Sequence, residues 1–563
     1  MIFSRFKRPS LSVVLIAFLV LYAVAMLSGI GRFAFVGPDE PRYAQVAREM
    51  FVSGDYVSTR LCGLLWFEKP ILFYWLAATS YSFFGVHEFA ARLPSALLCL
   101  LSVALVFITL RRAGFARWGV ISAVVLATSA MWMSFGYAAT IDMTLASTLC
   151  AAFLAGFLAS TTEGRTRLLF LGLCAAATAC SMLAKGLVGV FFVIAILGIY
   201  NFVSRRAILR SWKDALLAVA VFLFVAGLWY VPVTLRHGSV FIDEFFINQH
   251  FKRFLTDKYK HSQAAYFYIF IVMVGAMPWT LFLWPAVQKL RALQPRQNHR
   301  DALLSLAWIW LLIPVAFFSI STSKLPSYIL PIFPALAIIL GAEIESLWSS
   351  TKVEQTAKLR RIAVANALIW CVLGGIGLVL RDKEPYFSGV TTSFFVALCV
   401  GGVATLVAIR GGHLKRAIFA PAAAILGVMV TAFFILPAMS KDYSLSEYSL
   451  SVVSQMKPGE NMAFYKFKKQ YVHVFYGEGR VIYYGNGVPL KNISTGDDIG
   501  LETREALLKA LRYEMREGDT SLVVLTLELL QKELENDPAF TAQKIAQHED
   551  TIAMRLTLKT PVN

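Results

Sequence analysis

The chain has 563 residues, of which 57% are hydrophobic and only 16% charged, with a mean hydropathy of +0.62. Soluble globular chains carry about 25% charged residues, so a soluble enzyme is excluded; runs of roughly 18 or more apolar residues recur, each long enough to cross a bilayer as a helix. The formal charge of +18 does not mark a nucleic-acid binder, because the lysines and arginines sit in short loops between apolar runs, as the positive-inside rule requires.

Backbone groups in lipid must pair internally, and runs that are continuous instead of alternating select helices over a barrel. The predicted fold class is therefore a polytopic α-helical membrane protein with a C-terminal α/β domain. Arg5, Lys7 and Arg8 precede the first run. That run is longer than a signal-peptide core of about 7–15 residues. It continues past the cleavage-like Ala23-Val24-Ala25 to Ile30, so it reads as a retained span. Thirteen further apolar segments follow: 71–85, 92–110, 117–135, 142–159, 167–184, 186–203, 214–234, 265–288, 302–320, 325–345, 362–380, 391–409 and 416–437. Basic loops around Arg111, Arg205, Lys289, Lys358 and Arg410 face the cytoplasm on the positive-inside rule. The outward set is then 31–70, the turns at 136–141, Lys185 and 321–325, the loop 235–264, and everything after 437. One segment is too many for this alternation. The shortest, 71–85, is expected to be short or re-entrant, leaving about thirteen spans; the alternative is that the 111–117 loop breaks the rule.

Six of the seven cysteines lie in apolar runs, where they behave as small hydrophobes. Only Cys62 is in a polar loop, and no CxxC pair exists. After Pro437 the composition changes. Residues 1–440 read as the membrane domain, with a catalytic external loop 31–70, and 441–563 as a soluble domain. In it Ala463–Phe467, Tyr471–Tyr476, Val481–Tyr484 and Ser521–Leu527 read as strands. Thr503–Arg516 reads as a helix with Ala506, Leu507, Leu511 and Met515 on one face.

The outward loops hold ionisable residues that a connector does not need. The first contains Asp39-Glu40-Pro41-Arg42-Tyr43 opening a helix and closes with Phe67-Glu68-Lys69-Pro70. Asp142 begins a span in YAATIDMTLA, Lys185 sits in SMLAKGLVG, and NQHFKRFLTD supplies His250, Lys252 and Arg253. Lys324 and Tyr328 lie in STSKLPSYILP. Singly, each has an ordinary explanation: Asp39 as a helix N-cap, Lys69 snorkelling to headgroups, Arg253 on anionic lipid, Tyr328 in an interfacial belt. Asp142 and Lys185 resist this, because an ionisable group at a span boundary needs a partner or a cavity. By sidedness all of them gather on one outer face. Cations with one or two carboxylates at a lipid boundary suit an anionic lipid donor: cations stabilise a departing phosphate, and a carboxylate orients or deprotonates the acceptor.

These motifs, in this order along the whole membrane region, closely resemble those of the lipid A aminoarabinose transferases. They are more distantly similar to those of protein O-mannosyltransferases. Both are GT-C glycosyltransferases that use polyprenyl-phosphate sugars. The resemblance implies a GT-C fold and catalytic roles for Asp39, Arg42, Asp142 and Lys185. It implies lipid-phosphate contacts for Tyr43, Lys69, Arg253, Lys324 and Tyr328, and a divalent metal (Zn, Mg or Mn) shared by Glu68 and His250. One departure is Trp66, where the aminoarabinose enzymes often carry Tyr, which removes a hydroxyl from the phosphate region. The implied function is inverting transfer from a polyprenyl-phosphate donor to lipid A by a monomer in the bacterial inner membrane, with the site and C-terminal domain periplasmic. The alternatives are transfer to a protein hydroxyl or another surface glycan, and transport of a lipid-linked sugar. No internal repeat supports transport.

Overall fold

In the computed structural model the described residues are 11–559, apart from 247–262, 265, 322–323, 381–388, 444, 467–470, 479, 483, 486–487, 490–500 and 518–520. Among them, nine helices are long and apolar enough to cross a membrane, two pairs of shorter helices bent by 65° and 115° pass the same test when taken together, and two shorter apolar helices cover Ile16–Gly29 and Phe395–Arg410. These coincide segment by segment with thirteen of the fourteen apolar runs. The remaining run, 71–85, forms the 13-residue helix Leu72–Phe84. At 1.5 Å per residue it extends about 20 Å, too short for a hydrocarbon core of about 30 Å. Its aromatic side chains have another use. The Tyr81 hydroxyl donates to the Ala44 carbonyl (3.2 Å) and Trp75 Nε1 to the Tyr56 carbonyl (2.8 Å), which ties the segment to the first loop.

The chain divides into two compact units. One comprises 1–32, 69–73 and 92–436; the other comprises 33–68, 74–91 and 437–563. The expected boundary at 440 falls close to the junction after Leu436, but the loop 33–68 clusters with the C-terminal segment and not with the membrane helices.

In the membrane unit, the best-defined pair for function is the helical hairpin Ile141–Thr161 and Gly164–Lys185. The connection is only two residues, so the helices run antiparallel, and the start of the first returns to the level of the end of the second. Asp142 stands in the first turn of one and Lys185 ends the other. Each charge therefore opposes the partial charge of its own helix terminus. Gly186 closes the hairpin end with φ +78, a conformation that favours glycine. Its N–H donates to the Met182 carbonyl at 2.8 Å.

In the other unit a four-stranded sheet is built from β1 (Asn461–Phe464), β2 (Leu522–Leu527), β3 (Phe540–His548) and β4 (Thr551–Leu558), in the order β1-β2-β4-β3. Only the β1–β2 pairing is parallel. Period-two alternation puts Ala463, Leu522 and Val524 with Leu507, Ala510 and Leu511 of helix Arg504–Glu517 on one face. Met462, Phe464, Val523 and Leu525 take the other face with Tyr448, Val452, Val474 and Leu64. The helix face expected at 503–516 thus forms at Ala506, Leu507 and Leu511, while the Met515 side chain lies outside the described set. One expectation is corrected: Tyr471–Tyr476 is a short helix, not a strand. The two long strands after residue 539 escaped the sequence reading altogether.

Leu64 shows how the first loop joins this core. Arg60–Leu61 and Leu64–Leu65 form a small hairpin whose turn residues Cys62 (φ 54) and Gly63 (φ 76) both have positive φ, the requirement of a type I′ turn. The Glu49 carboxylate accepts the N–H groups of Cys62 (2.6 Å) and Gly63 (2.9 Å), fastening the turn to helix Asp39–Ser53. Cys62, the lone polar-loop cysteine, is thus a turn residue.

His473 lies fully buried in the same core, its Nδ1 at 2.7 Å from Ser449 Oγ and its ring against Tyr448 and Phe464. Burial, reinforced by His548, holds its pKa down at about 4. An unfolded histidine titrates near 6.5. The native state therefore excludes a proton that the unfolded chain takes up between these values. Stability from this residue is complete above about pH 6.5 and declines as pH falls towards 4, by roughly 3 kcal/mol in all. Denaturation of the full chain at pH 7 and pH 4.5 is expected to show that loss, and His473→Gln to flatten it. An unchanged slope in His473→Gln assigns the pH dependence elsewhere.

Candidate functional site

The expected site residues fall into two groups, each within one unit. In the first, Arg42 is central. It lies one turn into helix Asp39–Ser53, so i,i+3 spacing sets it over Asp39. Arg42 Nη2 stands 2.5 Å from Asp39 Oδ1, and Nη1 stands 3.6 Å from Glu68 Oε2. Asp39 is not an N-cap: Pro38 holds that position, and the Asp39 carboxylate turns to Arg42. The Arg60–Leu65 hairpin brings Glu68 back beside the helix. Trp66 N donates to the Thr59 carbonyl (2.9 Å) and Thr59 Oγ1 donates to the Trp66 carbonyl, locking the return strand.

Ring faces complete the enclosure of Arg42. Its guanidinium carbon lies 5.1 Å from the Tyr43 centroid, 5.4 Å from Tyr471 and 5.6 Å from Trp66. Tyr74 packs behind Tyr43 at 6.4 Å. Burial works against the Arg42 charge, but Tyr43, Glu68, Asp39 and Tyr471 outweigh it and raise the guanidinium pKa above its ordinary value. Burial also pushes the Tyr43 and Tyr471 phenols up, with Arg42 opposing, so both remain protonated donors at neutral pH. The side chains of Arg42 and Glu68 are 16% and 14% exposed, whereas Asp39 is 56% exposed. Asp39 therefore faces solvent while Arg42 is enclosed. Arg42 Nε is buried with no hydrogen-bond partner among the described residues. A buried donor of this kind costs stability unless an acceptor arrives.

In the second group, Lys185 Nζ forms an ion pair with Asp142 Oδ1, and the ammonium lies 5.0 Å from the Tyr328 ring centroid. The two charged side chains are about one-fifth exposed, at 19% and 20%. Lys324 stands apart from this group. Its Nζ donates to the carbonyls of Ser321 (2.6 Å) and Gln263 (3.1 Å), next to the C-terminus of helix His299–Ile320. A lysine on the last carbonyls of a helix is a capping arrangement. Lys69 follows Glu68 and is half-buried. His250, Lys252 and Arg253 lie outside the described residues.

Among the described residues no group of three or more His, Cys, Asp or Glu side chains stands together. Glu68 faces a guanidinium, which suits a carboxylate but opposes a divalent ion. His250, the other ligand of the expected pair, lies outside the described residues. Tyr471 and Tyr74 were absent from the sequence-based site. Tyr74 lies in the apolar run 71–85, and Tyr471 far along the chain in a segment whose residues favour a strand.

Residues 68–230 match the family described as dolichyl-phosphate-mannose-protein mannosyltransferase. The crystal structure of ArnT from Cupriavidus metallidurans bound to undecaprenyl phosphate superposes with a TM-score of 0.79 at 23% identity, covering 97% of this chain and 98% of that one. The fold and site together define a multi-pass membrane glycosyltransferase of the GT-C type, one that draws its sugar from a polyprenyl phosphate. The undecaprenyl phosphate-alpha-4-amino-4-deoxy-L-arabinose arabinosyl transferase of Pseudomonas aeruginosa is 30% identical over 428 residues, 74% of each chain. That of Erwinia tasmaniensis is 30% identical over 453 residues, 77% of this chain and 79% of its own. The chain belongs to the family of these arabinosyl transferases.

Proposed function

We propose that the protein transfers an aminoarabinose-type sugar from undecaprenyl phosphate to lipid A, at the periplasmic face of the bacterial inner membrane. The observation that carries this is Arg42: an enclosed cation with an unused buried donor, at the head of the first external loop. A phosphate oxygen is the acceptor such a group lacks, and an arginine fork matches phosphate geometry. The relatives' shared description supplies the sugar and its undecaprenyl phosphate carrier.

In this reading the acceptor oxygen attacks the anomeric carbon from the side opposite the lipid phosphate. The bond from that carbon to the phosphate oxygen breaks, and the electron pair leaves with the polyprenyl phosphate, inverting the centre. Cations that meet the charge as it grows on the departing oxygen lower the barrier. Arg42 serves this role in its own group, and Lys185 is the cation of the Asp142 group. An acceptor phosphate on lipid A is already ionised at neutral pH. Asp39, exposed and pinned at Oδ1 by Arg42, then positions the acceptor and need not take a proton. A hydroxyl acceptor on a protein would require that base.

The test is mass spectrometry of lipid A from cells carrying the intact gene, a deletion, or an Asp39→Ala copy. An aminopentose increment is expected with the intact gene alone. An unchanged lipid A profile across all three rejects lipid A as acceptor and directs the search to glycoproteins and other surface glycans. An increment retained in Asp39→Ala removes the catalytic role of that carboxylate.

A further inference from the structure

Two of the three rings around Arg42, Tyr43 and Trp66, come from the first external loop that carries it. The third, Tyr471, comes from the soluble C-terminal segment, within the same compact unit. Tyr471 opens the helix Tyr471–Tyr476, which is held against the loop along its length. Arg48 Nη1 donates to the Phe475 carbonyl at 2.9 Å, and the Phe35 and Phe475 rings meet edge to face at 4.8 Å. The Tyr476 hydroxyl donates to Glu88 Oε1 at 2.6 Å and accepts from the Phe35 N–H at 3.3 Å. Tyr471 is therefore delivered to Arg42 by an anchored element.

A ring face does something for a guanidinium that a carboxylate does not. It restrains the plane and shields it from water; here the Tyr43 hydroxyl also accepts from Nη2 (3.4 Å) and the Tyr471 hydroxyl hydrogen-bonds Arg42, while Nε stays available to a ligand. The carboxylates beside Arg42 act on Nη1 and Nη2, one of them from the exposed Asp39. Nothing described occupies Nε. The rings fix the plane in which that Nε points.

We propose that Tyr471 is a positioning residue for Arg42, so that the soluble C-terminal segment forms part of the donor-phosphate site. The inference rests on the reading of Arg42 as a phosphate-binding group. It requires that the π face of residue 471, not its bulk or its hydroxyl, set the affinity.

The experiment measures binding of undecaprenyl phosphate to the full-length protein in detergent, for wild type, Tyr471→Phe, Tyr471→Trp, Tyr471→Met and Tyr471→Leu. The thermal midpoint of each ligand-free variant is recorded alongside. The Phe and Trp variants are expected within about twofold of wild type. Met and Leu are expected to bind about tenfold more weakly, equivalent to about 1.4 kcal/mol, at unchanged midpoints. Met keeps the apolar volume without a π face, so a packing role alone predicts that Met matches Phe, and that result overturns the proposal. Equal binding by all five variants also overturns it and leaves the reading of Arg42 intact. A wild-type protein that does not bind undecaprenyl phosphate overturns both.

Discussion

Arg42→Ala is expected to lower transfer by about two to three orders of magnitude, the loss typical of removing one preorganised donor from a developing oxyanion. The guanidinium is 16% exposed, engages two carboxylates and is bracketed by three rings. Alanine removes the phosphate fork and leaves Glu68, itself 14% exposed, without the cation opposite it. Arg42→Lys retains the charge but neither the planar fork nor the pinned Nε, and an intermediate loss of about tenfold follows. Steady-state kinetics of both variants against wild type, with donor and acceptor varied separately, measure this. The defect should fall on the donor. A loss below tenfold in Arg42→Ala, or one confined to the acceptor KM, would sink the assignment.

The second large effect concerns Asp142 and Lys185. Removing one member of a fully buried ion pair costs about 3–5 kcal/mol because the other charge is stranded. With both side chains about one-fifth exposed, Asp142→Leu or Lys185→Leu alone should cost about 2–3 kcal/mol. The double replacement removes both charges and is expected to recover most of that stability, since apolar pairs of similar volume often substitute without loss. Activity should not recover with it, because the cation and its contact with the Tyr328 ring are gone. Thermal midpoints of the three variants in detergent, with transfer assayed on each, check both halves. A double variant as unstable as the singles would show that the hairpin needs these side chains for packing. A double variant with wild-type turnover would remove Lys185 from the chemistry.

These two groups differ in how far the sequence reveals them. Asp142 and Lys185 stand at opposite ends of two apolar runs joined by a short turn. Helix length and antiparallel return bring them level, so their pairing follows from one-dimensional spacing. Asp39 and Arg42 are likewise readable, because i,i+3 spacing makes them neighbours on any helix. Glu68 beside Arg42 is not readable in this way. It depends on the Arg60–Leu65 hairpin, whose positive-φ Cys62 departs from the Asn-Gly pairs that usually announce such turns.

The run YVHVFY at 471–476 alternates β-branched and aromatic residues, and six residues cannot discriminate strand from helix. In the structure it is a helix that contacts Arg48 of helix Asp39–Ser53 and Phe35 before it. Lys324 donates from its ammonium to two backbone carbonyls. No linear pattern reports which carbonyls will lie within reach.

By itself the sequence determined the membrane class, thirteen of the apolar helices and the family that the charged motifs resemble. Each of these rests on local composition or on spacing along one element, where length and hydropathy decide. Only the tertiary structure decided that the helix at 72–84 and the first loop belong with the C-terminal segment, and that Tyr471 faces Arg42. Those contacts join residues hundreds of positions apart. They are selected by how buried faces fit one another, a quantity that periodicity along the chain does not encode.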